Sequence, residues 1–511
     1  MPPPPRADAA LTASLRADLG GAGWTVDAVT ELLGPVAAGA LLRDQPLPAR
    51  RALAAAGDGA AAVLSRLFVL GAQVTRGALD AALPATGTAG AERAGLVTAA
   101  GAGREDAVRA AVDLRPYAAV DAAGQSSWWL ASDLGEAATG GPLPTDHVLG
   151  VGGASTTLAQ LTVRTPAARV LDVGAGSGVQ SLHAARHAGS VTATDTSARA
   201  LAFAAFNAAL AGVDLDLRRG SLLEPVAGER FDLVVSNPPF VVTPRSAAVP
   251  GWTYRDGGLV GDEVVRRLVS GLGGVLAPGG SAQLLGNWEH RAGEGWTDRV
   301  GSWLEASGLD GWVVQREVQD PAEYAETWIR DGGQRPGPAF DALLGAWLDD
   351  FAARGVQAVG FGFVVLHAPR EEAAARPRWR RLEEATGPLR APLGGHVAQV
   401  LAAQDLLAST PDADLLGLRL RAAADVTEER HLRPGDADPS VILLRQGGGL
   451  GRAVAVGTAL AGLVGASDGE LSVGQIAGAL AALLEVEAAP LVAELLPQVR
   501  ALVADGLLVP A

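Results

Sequence analysis

Residues Asn237-Pro238-Pro239-Phe240 close a short apolar run, Leu233-Val234-Val235-Ser236, and their types suit one chemical task. Proline fixes φ and carries no N–H, so the backbone carbonyls there are stiff and free to accept. The side-chain oxygen of Asn237 and the carbonyl of Pro238 can then take both hydrogens of one planar NH2 group. The ring of Phe240 would cover that group's π face. A carboxamide or an amino-substituted base carries such a nitrogen. The plain alternative is a strand followed by an Asn-Pro turn.

Upstream, Val170-Leu171-Asp172-Val173 reads as a short buried strand running into Gly174-Ala175-Gly176-Ser177-Gly178, with a helical stretch from Val179 to His187 behind it. Glycines let the backbone turn sharply and approach a ligand without a Cβ in the way. The spacing is Asp-x-Gly-x-Gly-x-Gly, so the dinucleotide fingerprint fails. A second strand, Val191 to Asp195, ends in a carboxylate followed by Thr196. In open α/β sheets ligands sit at the carboxyl ends of strands, where a carboxylate suits a ribose diol. A third segment, Leu215 to Arg218, leads to Gly220-Ser221-Leu222-Leu223, where an adenine could lie.

This order of motifs resembles the class I S-adenosylmethionine-dependent methyltransferases, in the branch whose fourth strand ends in Asn-Pro-Pro-aromatic. It is most similar to the HemK-type enzymes that methylate a glutamine side-chain amide. Asn-Pro-Pro-Phe-Val-Val-Thr-Pro (237–244) and the Gly-Gly-x-x-Gly segment Arg255-Asp256-Gly257-Gly258-Leu259-Val260-Gly261-Asp262 carry the likeness, which covers roughly residues 140–370. Phe240 stands where those enzymes have Tyr, so a phenolic hydroxyl has no role. The resemblance implies S-adenosylmethionine as cofactor. Its binding set would be Asp172, Gly174, Ala175, Gly176, Ser177, Gly178, Asp195, Thr196, Ser221, Leu222 and Asn237. Asn237, Pro238, Pro239 and Phe240 would hold the methyl acceptor.

The chain has 511 residues, 48% of them apolar and 19% charged, which suits several buried cores and about three domains. It contains no Cys, so disulfides, thiolate metal sites and a Cys nucleophile are excluded. His183 and His187 are spaced i,i+4, but Ala-Ala-Arg between them supplies no catalytic Glu, and no metal site is expected. The N-terminus lacks an apolar signal core. The longest strongly apolar stretch, Ala453 to Ala466, is too short for a bilayer, so a cytoplasmic protein without a membrane partner is expected. All 41 basic residues are Arg, and the net charge of −15 disfavours a surface that tracks phosphates.

The expected fold is α/β: a doubly wound, seven-stranded sheet at residues 140–370, flanked by winged-helix-like auxiliary domains at 1–139 and 391–511. Strands are expected near 169–173, 191–195, 215–218, 231–236, 281–286, 312–317 and 358–366. Before them, helical stretches (Leu11–Leu19, Val26–Leu42, Ala62–Leu70) precede two strand-like runs, the second holding Trp128-Trp129. Adjacent strand residues face opposite ways, so this pair reads as core rather than a stacking platform. Residues 140–160, with Pro142, Pro144, Gly150, Gly152 and Gly153, read as a linker in which Asp146 and Ser155 to Thr157 are weaker cofactor candidates. About 40 residues between 318 and 357, including a helix around Ala339–Ala353, exceed what a hairpin needs. They are either a substrate lid or a packing insertion. Arg376, Arg378, Arg380, Arg381 and Arg390 surround Trp379, but Glu371, Glu372, Glu383 and Glu384 flank them, so 371–390 reads as a solvated linker. No Arg lies between Arg452 and Arg500, which argues against DNA binding there.

Three functions fit these residues. The first is N-methylation of a protein glutamine or similar amide, the second methylation of an exocyclic amine in RNA. The third is a small-metabolite methyltransferase or a non-catalytic cofactor-binding module. In each macromolecular case the cofactor site lies within 140–370 and the auxiliary domains recognise the substrate, a protein before RNA.

Overall fold

Runs such as Val170-Leu171-Asp172-Val173 and Leu233-Val234-Val235-Ser236 are apolar on both faces, the pattern of strands covered by helices on each side. In the computed structural model they form the centre of one large sheet. The structure describes residues 2–43, 45–139, 143–245, 255, 257–370 and 375–511. Pro142, Asp256, Glu371 and Glu372 lie outside the described residues.

The sheet consists of β1 (Ala167–Val173), β2 (Ala188–Asp195), β3 (Asp216–Arg219), β4 (Phe231–Ser236), β5 (Leu276–Arg291), β6 (Asp310–Gln319), β7 (Val356–His367) and β8 (Arg380–Glu384). Its order is β8-β6-β7-β5-β4-β1-β2-β3. Strands β1 to β5 run parallel, and β7 inserts antiparallel between β5 and β6. Helices α1 (Val179–Ala185), α2 (Ala198–Ala211), α3 (Glu263–Gly271) and α4 (Trp296–Ser307) alternate with the strands.

The sheet has eight strands, where seven were expected. The eighth lies inside the run read as a solvated linker. Only Leu382, among four charged neighbours, packs toward the core, so no alternation announces a strand. Trp312 of β6 donates its indole N–H to Glu383 at 2.6 Å, and Arg381 lies 5.9 Å from the Trp312 ring centre. Charged residues on such an edge discourage further pairing.

The long connection after β6 holds two helices, α5 (Pro321–Asp331) and α6 (Pro338–Ala353). Asp320 caps α5 by accepting the N–H groups of Ala322 and Glu323, with Pro321 at the first helical position. Tyr324, Ile329, Phe340, Trp347 and Phe351 from these helices bury Val241 and Val242, the residues that follow Phe240.

Residues 9–132 begin with helices Ala9–Gly21 and Val26–Leu41 and include a three-stranded sheet (Val74–Thr75, Val97–Ala99, Ala107–Ala110). They end in a hairpin, Asp113–Asp121 with Gly124–Ser132. Leu15, Trp24, Phe68 and Val112 share one core with Phe203, Phe206 and Leu210 of α2. Trp128 and Trp129 do face opposite ways. Trp128 stacks on Tyr117, while Trp129 donates to the Trp24 carbonyl at 2.7 Å.

The described chain forms two compact units. The first comprises 1–159, 166–368 and 380–383; the second comprises 160–165, 369–379 and 384–511. Within the second, Arg419–Ala422 pairs with Asp468–Ser472 and Leu508–Pro510, and a separate meander joins Val426–His431, Val441–Gln446 and Ala453–Val456. Leu463, Val473, Leu495 and Val499 lie in its core. Arg376 pairs with Asp405 at 3.1 Å. Among the described residues no helix is long and apolar enough to cross a membrane, and no cluster of three metal-ligating side chains occurs.

Asn207 of α2 is fully buried and satisfies three backbone groups. Its amide N–H donates to Ala131 and Ser177 carbonyls at 2.9 and 2.8 Å, and its oxygen accepts from Ala131 N–H at 2.7 Å. Asn207→Ala leaves those groups without partners. Chemical denaturation should show a loss of about 2–4 kcal/mol, whereas a loss within error would show that the hairpin does not depend on this residue.

Candidate active site

Backbone pairing brings the three sequence motifs level. Val173 of β1 lies opposite Thr194 of β2 on one side and Ser236 of β4 on the other. One residue further on, Gly174, Asp195 and Asn237 therefore stand side by side at the carboxyl ends of adjacent strands, spaced at roughly 4.8 Å per strand. Ser236 donates its hydroxyl to the Val173 carbonyl at 2.7 Å and pins this row.

The loop after β1 folds against β2. Gly174 and Ala175 both donate to the Thr194 carbonyl, at 2.9 and 3.0 Å. Gly174, Gly176 and Gly178 have φ of 75°, 55° and 86°. A Cβ on Gly178 would lie 3.2 Å from the Ala204 backbone, so that glycine allows α1 to approach α2. Gly174 and Gly176 instead face open space, the room a ligand needs. The Asp195 carboxylate accepts from Gly176 N–H at 3.0 Å and from Ser197 N–H at 2.8 Å. Burial raises its pKa above the ordinary value, against the pull of these donors.

Asp172 sits two residues before Gly174, 1% exposed. One carboxyl oxygen accepts from the Ser181 hydroxyl at 2.6 Å, and the other meets no hydrogen-bond partner among the described residues. Burial pushes its pKa up to about 7, and the nearby charge of Asp195 adds to the rise.

Asn237 offers the complementary observation. Its side-chain oxygen is buried and accepts no hydrogen bond from the described residues. An unsatisfied buried acceptor costs about 1–3 kcal/mol, and Asn237 is one of the residues lining the cavity described below. Gly257 packs on the same loop: a Cβ there would come within 3.0 Å of the Pro239 ring. Asp262, also buried, holds the end of that segment by accepting Glu289 N–H at 3.0 Å and two Arg299 donors at 2.9 and 2.6 Å.

A cavity of about 870 Å³ joins these groups. Gly174, Ala175, Gly176, Ser177, Asp195, Thr196, Ser221, Leu222, Asn237, Pro238 and Pro239 line it, as do Asp146, Ser155 and Thr156. Asp172, Gly178, Thr157 and Phe240 do not. The Phe240 ring meets Trp328 of α5 edge-on at 6.5 Å and packs into the core. Leu222 takes φ 48°, a left-handed conformation a leucine rarely adopts, at the edge expected to hold an adenine.

Several contributors escaped the sequence reading. Tyr324 accepts from Val242 N–H and from the Asn287 amide, both at 2.9 Å, fixing the backbone that follows Phe240. Its burial holds the phenol above its ordinary pKa. Asp-Pro ahead of it, a helix start signal, could have placed α5 but not this contact. His183 lies in a buried chain, bonded to Tyr117 at 2.9 Å and Asp121 at 3.1 Å, with Arg186 on Asp121 at 2.7 Å. The connection 318–357 thus reaches Phe240 by buttressing it from behind, and only Asp331 reaches the cavity lining.

Residues 150–252 match the methyltransferase small domain, and residues 21–111 match a domain of unknown function (DUF7059). The chain is 42% identical over 124 residues to a release factor glutamine methyltransferase of Deinococcus radiodurans, covering 23% of this chain and 44% of that one. It is 37% identical over 167 residues to the enzyme of that name from Xylella fastidiosa, covering 30% and 56%. A ribosomal protein uL3 glutamine methyltransferase of Bradyrhizobium diazoefficiens is 33% identical over 169 residues, covering 30% and 53%. The chain spans about half the length of these relatives. Among solved structures, a ribosomal protein L11 methylase from Lactobacillus delbrueckii subsp. bulgaricus is 20% identical with a TM-score of 0.25, covering 42% of this chain and 79% of that one.

The raised pKa of Asp172 fixes the sign of a pH effect. A carboxyl favoured in its protonated form by folding contributes its stability below the ordinary value of 3.8 and loses it as pH rises through about 7. The stability of the wild type relative to an Asp172→Asn variant should therefore fall between about pH 5 and about pH 8. Urea unfolding at the two values measures it; a difference that stays flat or rises contradicts the assigned cause.

Proposed function

We propose that this chain is an S-adenosylmethionine-dependent methyltransferase that methylates the side-chain amide nitrogen of a protein glutamine. The carrying observation is the buried, unpartnered oxygen of Asn237, set level with the glycine loop in one cavity. The residues present suit the cofactor. Open space over Gly174 and Gly176 admits it, Asp195 offers oxygens to ribose hydroxyls, and Ser221 and Leu222 edge the adenine position. When bound, the cofactor supplies an electrophilic methyl group on a sulfonium.

The chain's own residues then act on the acceptor. An amide nitrogen is a poor nucleophile because its lone pair is delocalised into the carbonyl. Asn237 and the Pro238 carbonyl accept its two hydrogens, orient the lone pair and stabilise the positive charge that grows on nitrogen. The proton leaves afterwards to solvent, so no general base is required. Phe240, locked by Trp328, fixes the clamp's far end. The names of the relatives support a glutamine acceptor rather than RNA. The auxiliary regions, winged-helix-like in element order at 60–110 and 419–510, hold the macromolecule.

Incubation with methyl-labelled cofactor and a lysate tests the acceptor class: label should be released by protease and survive nuclease, and the reverse would establish RNA. Replacement of Asn237 by Ala should abolish transfer while cofactor affinity stays within a few-fold, and Asn237→Asp should retain little activity because it adds a charge. Asp195→Ala removes two charge-assisted hydrogen bonds of ~1.5–3 kcal/mol each and should weaken cofactor binding at least about tenfold in calorimetry. Full turnover by the Asn237→Ala variant, or unchanged affinity in the Asp195 variant, would overturn the respective role.

A further inference from the structure

The hairpin Asp113–Asp121/Gly124–Ser132 lies outside residues 150–252, which match the methyltransferase small domain, and its Trp128-Trp129 pair reads as core. Yet Asp113, Arg115 and Tyr117 line the same cavity as Gly174–Ser177. The cavity is therefore not contained in residues 140–370.

The hairpin is fixed in that position at both ends. Asp121 at its tip and Tyr117 further along the strand hold His183 of α1 and Arg186 just after it through the buried chain described above. At its open end, Asp113 pairs in register with Ser132, next to Ala131. Asn207 binds both backbone groups of Ala131 and also the Ser177 carbonyl, so Asp113 is carried up to the glycine loop. There the Arg115 Nε donates to both Asp113 carboxylate oxygens at 2.8 Å. The Asp113 side chain is 10% exposed and that of Arg115 54%, so one partner is sunk in the wall and the other reaches outward.

A buried carboxylate is expensive unless charges or donors surround it, and here its partner guanidinium stays half exposed. An α-amino acid end matches such a pair charge for charge, its ammonium to the carboxylate and its carboxylate to the planar guanidinium fork. We propose that Asp113 and Arg115 bind the zwitterionic amino-acid end of the cofactor, so that the N-terminal region completes the cofactor site. This rests on the cofactor reading above. Adenosine recognition then belongs to the strand ends of the sheet, and amino-acid recognition to the hairpin.

Calorimetry on the full chain with two probes separates these parts. S-adenosylhomocysteine carries the amino-acid end, whereas 5′-methylthioadenosine keeps the nucleoside and thioether without it. Arg115→Ala should weaken the first by roughly tenfold or more and leave the second unchanged, with partial recovery in Arg115→Lys, because one bidentate charged contact is lost. Equal weakening of both probes would show a merely structural role and overturn the proposal, as would no change in either. Failure of the wild type to bind either probe would instead overturn the cofactor reading itself, and this proposal with it.

Discussion

The site depends on one row of backbone pairing. Val173 faces Thr194 and Ser236, and the residues that follow each strand inherit that alignment. A one-residue slip would turn every side chain on the shifted strand to the other face. Both faces of these strands are buried, so such a slip would expose no better alternative and would break the contacts of Leu171, Val234 and their neighbours. The hydrophobic core thus sets the level at which Gly174, Asp195 and Asn237 stand, before any of them meets a ligand.

Around that row, polar groups are sorted by whether folding satisfies them. Thr194, Ser236, Asn207 and Tyr324 spend their hydrogen bonds inside the protein, and each bond fixes a backbone segment next to the cavity. Asn237 is the contrasting case, a cavity-lining residue whose oxygen is buried without a partner among the described residues. Structural polar groups and ligand-seeking ones look alike in sequence. Their hydrogen-bond balance in the folded chain, together with their place on or off the cavity wall, distinguishes them.

Much of the central domain was legible because its chemistry is local. Glycines at fixed offsets after an apolar run, a strand-end carboxylate and two prolines after an asparagine each constrain the backbone within a few residues. The strand ends they implied coincide with β1, β2 and β4. What stayed hidden depends on distant pairs. Tyr117 meets His183 across 66 positions, Asn207 meets Ala131 across 76, and Val242 meets Tyr324 across 82. No local period encodes such contacts. The edge strand β8 escaped for a different reason, since one leucine among charges satisfies an edge that needs little burial.

The most direct test of the clamp is a structure of the full chain with S-adenosylhomocysteine and a glutamine-containing peptide. The expected result places the glutamine amide nitrogen within hydrogen-bond distance of both Asn237 Oδ1 and the Pro238 carbonyl, with the lone pair facing the sulfur. An amide held elsewhere, with Asn237 Oδ1 bonded to another protein group, would contradict it.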